Sequence, residues 1–354
     1  DFYAQLRDIA GASPGFDIDD LSLLLDPEEY ENYENGKFMS FEDLVGRQGK
    51  LTTLDLSVSG KLENTSYLFS GSVNEDIGLI KGDKQNRVSF RMNLESQLSG
   101  WLTIGTSTFF AYRDLSGQEV DLAWAYDDPP FGTYYYPDGN VKFNPISSDA
   151  STYNALYDYE LVDNKEIRKN LFSNMFIEIE FPFLSGLSFR MNYSPNFEWR
   201  NDYTFRRQDP YMTGNTTYAE KHNINTKRWV WENILKYQRT FADVHDIDIT
   251  LMYGRNSYDR ERTNVDADLF EIDILGYNQL GLGSNYLIDS DAEDKFGVSS
   301  LARLNYTLLK KYMISLAARR DGSSVFGENN KFGIFPSMAL SWIVSEESFL
   351  SNVS

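Results

Sequence analysis

The feature that most constrains this chain is a two-residue alternation of apolar and polar side chains, repeated in long runs. In 86–96, Val88, Phe90, Met92 and Leu94 alternate with Arg87, Ser89, Arg91, Asn93 and Glu95. Successive residues of a β-strand point to opposite faces, so each such run predicts a strand with one apolar and one polar side. The pattern recurs at 52–59, 67–73, 101–113, 170–181, 187–193, 229–237 and 247–253. Near the C-terminus, Ala302, Leu304 and Tyr306 share one face of a strand, and Tyr312, Ile314, Leu316 and Ala318 share a face of the next. Pro336, Met338, Leu340, Trp342 and Val344 do so in a third. That makes roughly eleven strands, more than most single soluble sheets hold.

The connections are sorted. Short ones at 60–64, 97–100, 182–186, 240–245 and 309–311 alternate in chain order with longer ones at 75–85, 114–169, 201–227, 255–297 and 322–331. Short turns at one rim and long loops at the other mark outer-membrane barrels, whose periplasmic turns are short and extracellular loops long. A soluble sandwich has no reason to sort its loops by parity, and its strands run about 5–6 residues, roughly half the length of these. The expected fold is all-β: an antiparallel transmembrane β-barrel fragment, apolar faces toward lipid and polar faces toward a wet lumen. Arg91, Glu178, Arg190 and Arg303 then face the lumen. Trp101, Tyr112, Phe181, Trp199, Trp229, Tyr237, Tyr253, Tyr306, Tyr312 and Trp342, near predicted strand ends, fit girdles at the two membrane–water boundaries. Strand propensity alone also favours aromatics.

Composition narrows the function. With 53 acidic against 33 basic side chains, a formal net charge of −20, the strongly acidic balance argues against nucleic acid as a partner, because binding a phosphate backbone needs Lys/Arg patches. It has no cysteine and two histidines, His222 and His245, which leaves no thiol chemistry and little for imidazole catalysis or zinc. Gly-x-Ser-x-Gly is absent, and no enzyme is expected. No apolar run approaches the roughly 18 residues of a membrane helix. The mean hydropathy of −0.46 does not count against a barrel, whose alternating strands average out as polar. The chain opens on Asp1 without a signal-like segment and is expected to be an internal piece of something longer. Residues 1–50, acidic and turn-rich, with room for helical turns at 2–9 and 27–32, are expected to form an acidic extracellular loop segment. Residues 51–354 are expected to form the partial barrel.

The late sequence resembles a known family. Arg319-Arg320-Asp321-Gly322-Ser323-Ser324, Phe326-Gly327, Asn329-Asn330-Lys331-Phe332-Gly333 and Phe335-Pro336-Ser337 look like the late-barrel signature of SusC/RagA-type TonB-dependent outer-membrane transporters. So do Arg303-Leu304-Asn305-Tyr306 and Trp342 with Ser345-Glu346-Glu347. Weaker matches follow the family's order from about residue 40 onward, among them Asp43-Leu44-Val45, Asp76-Ile77-Gly78, Asp138-Gly139-Asn140 and Trp231-Glu232-Asn233. The resemblance implies a 22-stranded barrel closed by an N-terminal plug and coupled to an inner-membrane TonB complex. It further implies a SusD-like surface lipoprotein as lid, and import of oligosaccharides or peptides across the outer membrane of Bacteroidetes-like bacteria. About half such a barrel is expected here, without plug or TonB box. Open strand edges are not tolerated in lipid, so this piece alone is not expected to transport.

Trp124, Tyr126, Tyr134, Tyr135 and Tyr136 lie in the longest predicted loop. Long loops carry function, and flat rings there suit sugar faces or a lid protein, so these five are the expected substrate- or partner-binding residues. Packing of the loop on itself is the competing reading. Gly322, Gly327 and Gly333 are expected to be turn residues supplying positive φ. His245, beside Asp243 and Asp246, is expected to hydrogen-bond within its turn. Asp289, Asp291, Glu293 and Asp294 offer hard oxygen ligands, but the spacing of a calcium loop is missing, so a solvated acidic loop, no metal and no cofactor are expected. Two other functions remain open at this point: a passive porin-type channel and a soluble all-β carbohydrate-binding protein.

Overall fold

A computed structural model describes residues 22, 25–347, 349 and 350. The helical turn expected at 2–9 and the acidic residues Asp17, Asp19 and Asp20 lie outside the described residues. Eleven strands follow one another in a single antiparallel sheet: β1 (Lys50–Leu62), β2 (Thr65–Ile77), β3 (Lys84–Ser99), β4 (Leu102–Asp114), β5 (Val162–Glu180), β6 (Leu187–Arg206), β7 (Tyr218–Phe241), β8 (His245–Asp268), β9 (Asn285–Leu308), β10 (Tyr312–Ser323) and β11 (Phe332–Trp342). Each strand pairs with the one before and after it, an up-and-down order in which β1 and β11 are the two edges.

Register converts the alternation into two continuous faces. One row of directly paired residues reads Leu102, Ile179, Phe189, Leu235, Leu251, Ala302, Ala318, Pro336 across β4 to β11. Another reads Leu56, Gly71, Phe90, Phe110, Leu171, Phe197 across β1 to β6. A one-residue slip of any strand would turn its apolar set to the other side, so a single register satisfies all of them. The apolar face is open: Leu56 is 70 % exposed and Leu340 69 %. Pro195 sits within β6, where the β5–β6 pairing is interrupted between Phe172–Asn196 and Met175–Tyr193. Proline has no N–H to give a ladder, which accounts for the gap.

The short connections are 63–64, 100–101, 181–186, 242–244 and 309–311, none longer than six residues, and all lie at one rim. Several run through left-handed backbone at residues other than glycine, among them Asp243 (φ 58°), Leu309 (φ 55°) and Lys310 (φ 60°).

The long connections are shorter than the alternation implies. The three large inserts shrink to 115–161, 207–217 and 269–284, because β5 to β9 continue past the apolar zone. β7, β8 and β9 have 24 residues each, about twice the 9–11 that a membrane crossing uses. On β7 the apolar phase stops at Trp229, yet pairing to β8 continues to Tyr218–Asp268. Backbone pairing asks nothing of the side chains, and here charge replaces grease. Arg228 pairs with Glu198 at 2.6 Å and Arg262 with Asp289 at 2.8 Å, and His222 hydrogen-bonds to Asp266 at 3.0 Å. Asp289, Asp291, Glu293 and Asp294 therefore belong to β9 rather than to a solvated loop, and Asp289 and Asp291 share Arg262.

Ahead of β1, α1 (Pro27–Glu34) and α2 (Phe41–Val45) are docked rather than solvated. α1 starts at a capping box, Asp26 with Glu29, and has Pro27 in its first turn, where proline costs no hydrogen bond. Asn32 donates to the Phe131 carbonyl at 2.8 Å and Lys142 pairs with Glu28 at 2.7 Å. Leu44 and Val45 join Val120, Ala125, Tyr134, Val141, Ala155, Leu156 and Tyr157 in a small core formed by the 115–161 connection, which carries α3 (Leu122–Asp127) and α4 (Leu156–Leu161). The 269–284 connection packs separately, Phe270 meeting Phe205 edge-on at 5.5 Å beside Ala219 and Ala267.

Candidate functional site

The face opposite the apolar one carries ion pairs and amides in place of grease. Arg190 on β6 lies directly across from Glu178 on β5, with Nη1 and Oε2 2.8 Å apart. Its Nε donates to Asn192 at 3.0 Å, and its guanidinium covers the Phe176 ring at 3.9 Å. Asn93, Ser107 and Asn174 form a paired row beside this group. This polar surface offers donors and acceptors, as expected of the wet face of a barrel interior.

Above it, the 115–161 connection leans over the wet side at the long-loop rim. Arg206, on that face of β6, pairs with Asp158, and the rings of Tyr157 and Tyr218 lie 5.5 Å from its guanidinium. The Tyr157 hydroxyl donates to Asp209 at 2.7 Å, tying the connection to 207–217.

The five loop aromatics do not form one stacking surface. Tyr134 is 4 % exposed and gives its hydroxyl to the Pro129 carbonyl, so it is part of the small core. Tyr135 is partly open and donates to Glu160 at 3.3 Å; burial, and then the Glu160 charge, push its hydroxyl up to about 12. It therefore acts as a donor at every physiological pH. Tyr136 stacks on Tyr211 with ring centroids 3.6 Å apart. Trp124 leans on Tyr153 at 4.9 Å, and Tyr126 is 84 % exposed. Tyr211 carried no signal in the sequence, because its partner lies in another connection.

The late signature is mostly wall. Arg319 reaches both carboxylate oxygens of Asp321, at 2.9 and 2.8 Å, and Arg320 covers Phe332 at 3.9 Å. The Ser323 amide closes the β10–β11 connection on Lys331 and the Asn330 amide bonds to Gly327, at 3.0 and 2.9 Å, while Phe326 and Phe335 are exposed. Gly322, Gly327 and Gly333 do not have positive φ. Gly322 and Gly333 lie inside strands, where a Cβ would come within 2.4 Å of the Phe332 ring and 2.8 Å of the Phe335 ring. They clear space for rings instead of bending the chain. His245 also departs from expectation, since its Nδ1 meets the Tyr306 hydroxyl on β9 at 2.7 Å.

Fold and faces together define a class: the wall of a transmembrane β-barrel, apolar outside and wet inside. Comparison with known proteins gives the particular kind. No protein-family model matches the chain. It is 29 % identical over 335 residues to TonB-dependent receptor P26 of Formosa agariphila, covering 92 % of this chain and 33 % of that protein. It is 25 % identical over 347 residues to TonB-dependent receptor SusC of Bacteroides thetaiotaomicron, covering 89 % and 33 %. Among solved structures, the RagAB peptide transporter superimposes with a TM-score of 0.80 at 18 % identity, over 98 % of this chain and 42 % of that one. The chain thus spans about a third of the length of the curated relatives it matches. The likeness to SusC/RagA-type TonB-dependent transporters read from the sequence is borne out by these matches, and the relatives are receptors and transporters rather than enzymes.

Proposed function

We propose that the chain is part of the wall of an outer-membrane TonB-dependent active transporter that imports oligosaccharides or peptides. A SusD-like surface lipoprotein covers its long-loop rim, and segments beyond this sequence contact the TonB complex. The observation that carries the reading is the unbroken apolar face, in register over eleven strands, with every short connection at one rim. The short turns then face the periplasm, and the 115–161, 207–217 and 269–284 connections face outside. Residues 51–354 make up the barrel part, and the stretch before it is docked beneath the 115–161 connection. Trp124, Tyr126, Tyr135 and Tyr136 are the rings that meet ligand or lid, with Tyr134 holding them from below.

Spin labels at Phe90, Ile177 and Leu316 in the full-length parent test this reading. Accessibility to oxygen, with shielding from a water-soluble relaxant, is the expected result; labels reporting water would remove it. Uptake that survives a protonophore would replace active transport by a passive pore.

A further inference from the structure

Across the wet face, four arginines stand side by side in one register: Arg87 on β3, Arg113 on β4, Arg168 on β5 and Arg200 on β6. At a strand spacing of about 4.8 Å the row is about 14 Å long. Its two ends differ. Arg168 pairs with Glu166 and Arg200 with Asp202, each on its own strand. Arg87 and Arg113 have no carboxylate partner among the described residues, and the Nε of Arg87 is buried without a hydrogen bond. Arg91, four residues along β3 on the same face, is likewise without one; its guanidinium lies 5.8 Å from the Phe109 ring.

Like charges placed directly opposite each other weaken a ladder. A chain with net charge −20 has acid to spare, yet among the described residues no carboxylate forms an ion pair with these three cations, whereas Arg168 and Arg200 each have one. Guanidinium forks match carboxylate and sulfate oxygens two at a time. The neighbouring wet-face positions on β2 and β3 include hydroxyls, Ser70 opposite Arg91 and Ser72 opposite Ser89, and the amide Asn74 opposite Arg87. One ring, Phe172, lies directly across from Phe109 and is 39 % exposed.

We propose that this patch on β3–β5 binds an acidic oligosaccharide. Arg87, Arg91 and Arg113 take its carboxylate or sulfate groups, the serines take its hydroxyls, and the Phe172 ring takes a sugar face. A peptide carrying apolar side chains finds little here to bury them. The assignment rests on the transporter reading and names the substrate class within it.

The test is equilibrium binding to the full-length parent in detergent. The probes are trigalacturonate, maltotriose and triglutamate, at about 50 mM and about 500 mM salt, since screening separates charge from fit. Trigalacturonate is expected to bind at least tenfold more tightly than maltotriose at low salt, to weaken at high salt, and to lose its advantage in R87Q/R113Q. The retained heat-modifiable mobility of that variant shows that its barrel is folded; if it is not folded, the wild-type comparison decides alone. Equal binding of trigalacturonate and maltotriose overturns the proposal, as does a folded R87Q/R113Q that keeps the preference. Triglutamate binding as tightly as trigalacturonate overturns the saccharide assignment. Failure of every anion to bind overturns the proposal too. Protonophore-sensitive uptake is measured separately: its loss with binding intact removes the transporter reading, and the reverse removes only the patch.

Discussion

The Arg190 guanidinium lies 3.9 Å from the centre of the Phe176 ring, and that ring in turn lies on Gly105. A Cβ at Gly105 would stand 2.3 Å from the edge of the ring. Glycine, ring and cation thus form three layers across β4, β5 and β6, with Glu178 holding the outermost in place. Gly105→Ala should push the ring toward Arg190 at an overpacking cost of about 1–3 kcal/mol. Phe176→Leu in the same background should recover part of that loss, because the two changes share one contact. Urea midpoints of the full-length barrel in detergent measure both. Additive losses would mean that the layers are independent.

Tyr136 and Tyr211 join two connections that the sequence gives no reason to associate. Their planes lie 17° apart, and the Tyr211 hydroxyl donates to Asp138 at 2.5 Å. An aromatic pair contributes about 0.5–1.5 kcal/mol beyond its buried area. Tyr211→Ala should therefore raise cleavage between 136 and 140 by about fivefold under limited proteolysis, where cutting follows the population of the open loop. Unchanged cleavage would show that the stack does not hold the loop.

What the sequence revealed follows from which force shaped each part. Val88 to Leu94 alternate because one face has no water to satisfy it, and hydropathy reports that directly. The upper half of β7 has charge on both faces, and its pairing leaves no such trace. Tyr134 looks like its neighbours Tyr135 and Tyr136 along the chain. Its burial depends on Leu44, Val45 and Val120, which only the tertiary fold brings near. In the sequence Gly322 looks like a turn residue because glycine is common in turns, whereas the ring it clears, Phe332, becomes its neighbour only through register.

Asp128 closes α3 and accepts the Ala155 amide at 3.0 Å, while its other oxygen is buried without a partner. Burial pushes its carboxyl up to about 7; the amide opposes the shift and the Asp127 charge adds to it. Since the folded pKa lies above the ordinary 3.8, the folded loop holds a proton that the unfolded one has released. Stability from this group is therefore full below about 4, falls as pH rises from there to about 7, and is lost above it. Protease protection of 120–157 in the full-length protein should be greater at pH 5 than at pH 8. Asp128→Asn, which cannot ionise, should flatten that dependence. A dependence that persists in the variant would assign it to another group.

Leu316 and Ala317 are consecutive on β10 and face opposite ways, Leu316 in the row with Leu304 and Met338 and Ala317 in the row with Arg303 and Ser337. The two positions have the same depth, strand and neighbours along the chain, and differ only in what each side chain meets. Arginine facing acyl chains near the bilayer midplane costs about 2–4 kcal/mol, whereas lumen positions tolerate charge. Leu316→Arg should therefore lower the folded fraction of the full-length protein reconstituted in vesicles, seen as loss of heat-modifiable mobility. Ala317→Arg should leave that fraction unchanged. In detergent the gap between the two should narrow, since a micelle deforms around a charge more easily than a bilayer does. Equal tolerance of both variants in vesicles would mean that neither face meets lipid, and the barrel reading would fail on the strand where its signature is clearest.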